Sequence, residues 1–131
     1  MFGAVNIGDK IKLTSQLKVL FVENTEMETI LQTLEEEKIK LNAKMSQIIN
    51  LQDEVVAYDI SRNGLWQGTK EEIAENVKKN LTAEIKNYYD ACEVLMKEIN
   101  AAIAKTNEEI TRTQVQINAM KAQILSFEGE D

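Results

Sequence analysis

Seven apolar residues recur at seven-residue steps in the first half of the chain: Leu13, Leu20, Met27, Leu34, Leu41, Ile48 and Val55. A sustained heptad row lies along one side of an α-helix and excludes a β-strand, whose side chains alternate with period two. Leu17, Leu31 and Met45 sit four residues after members of the row, and Ile30, Leu51 and Tyr58 sit three after. That broad stripe predicts a helix buried along its length. The charged run Glu35, Glu36, Glu37 and Lys38 reads as its solvated face.

The second half repeats the pattern. Ile73, Val77, Leu81, Ile85, Tyr88, Cys92, Leu95 and Ile99 follow at spacings of three or four. A four-residue step from Ile99 to Ile103 shifts the phase. Ile103, Thr106, Ile110, Thr113, Ile117, Met120, Ile124 and Phe127 then alternate three and four to the end. Thr106 and Thr113 are the weak links, facing small or polar neighbours.

Between the halves, Asn63-Gly64 is a helix stop, because both residues tolerate the left-handed conformation that follows a last turn. Thr69 and Glu72 have the spacing of a capping box. The expected fold is all-α, a long antiparallel two-helix hairpin in a single domain spanning 1–131. Residues 1–8 are flexible, 9–62 form the first helix, 63–69 the turn, 70–127 the second helix and 128–131 a tail. Trp66 is the middle of 131 residues, so a fold there sets residue i near residue 132 − i. A second capping pair, Thr25 with Glu28, marks a place where the first helix can kink.

Composition narrows the chemistry. The chain has no histidine and one cysteine, Cys92, which removes the commonest general base, histidine-based triads, disulfides within the chain and zinc fingers. Tyr88, Tyr89, Cys92 and Glu93 form the one reactive-looking cluster, but no base adjoins the thiol. The reading is a non-enzyme without cofactor or metal. Fifteen basic and 22 acidic residues give a net charge of −7, which opposes nucleic acid and anionic lipid. No stretch approaches the roughly 18 apolar residues of a membrane span, and the N-terminus lacks a secretory signal.

Two helices bury one stripe against each other and leave other apolar residues open. Ile39, Ile49, Val56 and Ile60 fall off the main seam of the first helix, and Val94, Met96, Val115 and Leu125 off the second. A buried aliphatic side chain contributes about 1.5–3 kcal/mol and an exposed one nothing. These eight are therefore candidates for packing against a partner that completes a helical bundle.

Trp66-Gln67-Gly68 is a Trp-X-Gly triplet at the midpoint of this expected hairpin. The indole closes the end of the apolar seam and the glycine permits a turn. The combination resembles the WXG (Esx-like) family of helical hairpins exported by type VII secretion in Gram-positive bacteria. Near the C-terminus, Phe127 and Asp131 fit an aromatic-x-x-x-acid pattern similar to the export mark of that family. The resemblance implies that Trp66 and Gly68 form the turn element, and Phe127 and Asp131 the export element. At 131 residues the chain is longer than the simplest family members and looks more like the small accessory proteins of LXG-domain toxins.

That resemblance implies a targeting or chaperone partner. It would bind the N-terminal helical domain of an LXG toxin, or a second small helical protein, and help deliver the toxin to the secretion channel. The chain would be cytoplasmic before export and would leave without a cleaved signal. Two other readings stand beside it: a self-associating secreted homodimer, and a cytosolic coiled-coil adaptor unrelated to secretion.

Overall fold

The computed structural model describes residues 2–60 and 67–129; for residues 2–6, 128 and 129 it describes the backbone alone. Two helices account for nearly all of them: α1, Phe2–Ala57, and α2, Thr69–Gly129. They pack against each other as an antiparallel hairpin. The chain divides into two compact units. One pairs residues 1–35 with 101–131, and the other is the hairpin of residues 36–100.

The heptad row is the core of α1. Beyond Gly8, its covered positions are Lys10, Leu13, Leu17, Leu20, Asn24, Met27, Leu31, Leu34, Lys38, Leu41, Met45, Ile48, Gln52 and Val55, with Thr14 beside them. Apart from Thr14, the steps alternate three and four, as in a coiled-coil seam. The row at seven-residue steps lies in this seam throughout. The companion row differs from the expected one: Ile30, Leu51 and Tyr58 are exposed, and Asn24, Lys38 and Gln52 occupy its slots. Along that companion row, Leu17, Asn24, Leu31, Lys38, Met45 and Gln52 alternate apolar with polar. A lysine or glutamine can fill a seam slot with its methylene stem while its head reaches water.

From Ile85 onward, α2 shows the same alternation. Tyr89 and Met96 are half-buried in the seam, whereas the expected Tyr88 and Leu95 point away from it. Cys92, Ile117 and Thr113 are buried. With Met96 in the seam, the steps before and after Ile99 are three and four, and no phase shift occurs there.

The helix bounds follow from local chemistry. The first helix begins at Phe2 and takes in most of the expected flexible segment. Gly8 lies inside it, with nothing within 4 Å of where a Cβ would stand. Replacing Gly8 with Ala is expected to raise stability by about 0.5–1 kcal/mol, because glycine loses more backbone freedom in a helix. A shift of the urea midpoint without a change in its slope checks this.

No break occurs at Asn24. Thr25 donates its hydroxyl to the Phe21 carbonyl at 3.0 Å, Thr29 to Thr25 at 3.0 Å and Thr33 to Thr29 at 3.1 Å. The hydroxyl expected to start a new helix bonds back to the preceding turn instead.

The first helix ends at Ala57, not near Arg62. The next seam slots after Val55 are Asp59 and Arg62, which offer no apolar side chain to hold the helix. The Tyr58 N–H is shared between the carbonyls of Glu54 at 3.1 Å and Val55 at 3.3 Å, a tightened last turn. Ile60, 3% exposed, then fills the core from non-helical chain.

The last turn of α1 carries no basic residue of its own. Lys78 of α2 supplies one, donating from Nζ to the Tyr58 carbonyl at 2.6 Å. A cation there complements the negative end of the helix dipole. Lys78→Met is expected to lower stability by about 1 kcal/mol. Hydrogen exchange accelerated at residues 54–58, with little change around Lys121, would locate the effect.

Pairing departs from the midpoint register. Folding at Trp66 would set Tyr58 against Ala74 and Phe21 against Thr111. In the hairpin unit Tyr58 meets Lys78. In the other unit the Lys121 ammonium lies 5.2 Å from the centre of the Phe21 ring. Part of the difference is the reach of the lysine side chains. Tyr58 and Ile60 share an apolar depression with Ile73, Ala74 and Val77 of α2.

Candidate interaction surface

The turn element enters the described structure at Gln67. Gly68 has φ +58°, the left-handed region that glycine occupies without strain. Its carbonyl accepts the Glu72 N–H at 3.2 Å and opens α2. That bond puts the N-cap at Gly68, one residue before the hydroxyl expected to provide it. Glu71 and Glu72 follow in the first turn, where negative charge complements the dipole. Trp66, Asn63 and Gly64 lie outside the described residues, as does Asp131.

Phe127 is described, and it is half-buried. It shares a shallow depression with Asp9, Lys12, Leu13 and Gln16 of α1 and with Gln123 and Ser126 of α2. Its ring therefore belongs to the end of the seam.

Of the eight residues expected to meet a partner, six are exposed: Ile39, Ile49, Val56, Val94, Val115 and Leu125. Ile60 and Met96 are not on an outer face, because the chain covers them itself. Residues assigned from sequence to the seam are open in their place. In the hairpin unit these are Leu51, Tyr58, Ile73, Val77, Leu81, Tyr88 and Leu95.

These open residues are not scattered. With Ile85, Cys92 and Ile99 at one seam position of the heptad and Tyr89 and Met96 at the other, Leu81, Tyr88 and Leu95 all fall on the flank immediately before the second. Leu51 holds the same flank of α1. Flanks of this kind run side by side in an antiparallel pair. Leu51, Val55, Tyr58, Ile73, Val77 and Leu81 accordingly line one depression of 420 Å³. The opposite flank of α2 reads Lys79, Lys86, Glu93 and Asn100, so only one side of the helix is apolar.

Chemistry-bearing groups are sparse here. Among the described residues, no cluster of three His, Cys, Asp or Glu is placed to hold a metal ion. Cys92 is a buried free thiol, Tyr88 is exposed and Tyr89 is half-buried in the seam. The ion pairs that carry a geometry, Lys40–Glu37 at 3.4 Å and Arg112–Glu109 at 3.6 Å, are exposed contacts within one helix. No described helix is long and apolar enough to cross a membrane. What remains distinctive is an uncovered apolar surface on a helical hairpin. No family model, no curated protein and no solved structure matches this chain.

Proposed function

We propose that this chain is a non-enzymatic targeting partner that binds an LXG-type toxin, or a similar type VII substrate, by helix packing and helps deliver it to the secretion system. The observation that carries the reading is unburied surface. The chain exposes 9818 Å². A folded monomer of 14.9 kDa exposes roughly 7,000 Å². The exposed surface includes large aliphatic and aromatic side chains, which a helical client can cover. The Trp66-Gln67-Gly68 triplet and the aromatic-x-x-x-acid pattern of Phe127 and Asp131 in the sequence support the link to type VII secretion.

In this reading the apolar faces hold the client, and the turn and tail address the complex to the channel. Asp131→Ala and Phe127→Ala are expected to lower toxin export while a pull-down still recovers the toxin. Asp131→Ala is the cleaner of the two, since Phe127 is half-buried and lines the same depression as Leu13. Normal export from both variants removes the tail assignment. Toxin that never co-purifies with the native chain removes the client.

A further inference from the structure

We infer that the open flank of the hairpin unit is the seat of a single amphipathic helix from another protein, about six turns long, whose apolar stripe is bordered by lysine and arginine. The inference deepens the proposed function and rests on it only for the identity of the protein that carries this helix.

The face continues an interface that already exists. Leu81, Tyr88 and Leu95 sit one position outside the α1–α2 seam, and Leu51 and Tyr58 border it from the other side. Two-helix seams end at this flank in charged residues, whereas bundles of three or four helices carry apolar residues there. A third rod laid in the groove meets three rows at once: the flank of α1, the floor at Val55 and the flank of α2.

The length of the stripe sets the length of its occupant. From Ile73 to Leu95 is 22 residues, about 33 Å of helix at 1.5 Å per residue. Beyond it the same flank of α2 turns small and then polar, through Ala102 to Glu109, Gln116 and Gln123. The area is also adequate. Six side chains about half open present on the order of 500 Å². With the matching surface of the occupant, roughly 1,000 Å² is buried, the level at which an interface becomes specific.

Charge selects among helices. A net charge of −7 per chain makes a second copy an electrostatically poor occupant, and a helix with basic borders a favourable one. Glu54 at the rim of the depression and Glu84 beside the stripe offer such borders their counter-charges, while Lys78, which also lines the depression, is engaged by the Tyr58 carbonyl.

The test uses the full chain and a labelled 24-residue peptide with leucine at i, i+3, i+4 and i+7 and lysine or arginine beside the stripe, followed by fluorescence anisotropy at physiological salt. Tyr88→Ser and Val77→Ser are each expected to weaken binding about tenfold, and both side chains are more than half exposed, so the hairpin keeps its helicity. Val115→Ser, in the other unit, is expected to change binding less than twofold. A peptide of the same composition with its leucines scrambled, or one with glutamate for every basic residue, is expected to bind at least tenfold more weakly. Equal binding of the scrambled or acidic peptide overturns the inference, as does wild-type affinity in both serine variants. So does light scattering that shows a dimer of the chain dissolved by Tyr88→Ser, since a second copy is then the occupant. Loss of export with this binding intact would instead count against the secretion reading alone.

Discussion

Ile117→Ala is expected to cost about 2–3 kcal/mol, and Val115→Ala, two residues away, less than about 0.5 kcal/mol. The pair differ in one respect that matters: Ile117 is 5% exposed in the seam, whereas Val115 is 63% exposed on the outer face. Truncating Ile117 removes buried methyl groups and leaves a void that the facing helix must close. The expected loss sits at the lower end of the range for such changes because the core is thin. No described side chain is fully enclosed, so water and neighbouring residues can fill part of the space. Urea unfolding followed by circular dichroism checks both values. Equal losses at the two positions would mean that Val115 is covered in solution. The two units can also lose structure separately, and a biphasic curve for Ile117→Ala alone would show that the damage is confined to the unit containing it.

Asn24→Leu is expected to act in the opposite direction, raising stability by about 1–2 kcal/mol. Asn24 occupies a seam slot equivalent to those of Leu17 and Leu31. Its Nδ2 donates to Glu28 Oε1 at 3.2 Å, but its Oδ1 is buried without a hydrogen-bond partner. Burial deprives that oxygen of water and gives nothing back. Leucine removes the orphaned acceptor and supplies apolar contact. A higher urea midpoint for Asn24→Leu would bear this out, and a lower one would show that the amide has a partner in solution. Light scattering belongs beside the melt, because buried asparagines in helical seams also suppress alternative assemblies.

What the sequence revealed, and what it concealed, follows from the kind of information a heptad carries. The row from Leu13 to Val55 was legible because an apolar residue holds one slot seven times in succession. The second row of α1 was not. Ile30, Leu51 and Tyr58 looked like members because they are apolar, yet slots are assigned by angle around the helix. That angle puts Asn24, Lys38 and Gln52 inward. In α2 the choice lay between adjacent apolar residues, Tyr88 or Tyr89 and Leu95 or Met96. The deciding signal was present: taking Leu95 leaves two consecutive steps of four around Ile99, and taking Met96 leaves none. That mistake matters for the candidate site, since the residues wrongly placed inside the hairpin are the ones that form its open flank. The end of α1 was legible in the same way, from Asp59 and Arg62 in slots that demand apolar side chains. The register was not, because it depends on how far non-helical chain travels, which no periodicity records.

The alternation of Leu17, Asn24, Leu31, Lys38, Met45 and Gln52 along α1 has a consequence for alignment. A ruler with identical marks every seven residues reads the same after sliding by one mark, so a uniform leucine seam tolerates helices that mate one heptad out of place. Here like marks return only after fourteen residues. A slip of about 10 Å, one heptad of helix, would exchange oily for hydrophilic slots along the whole row.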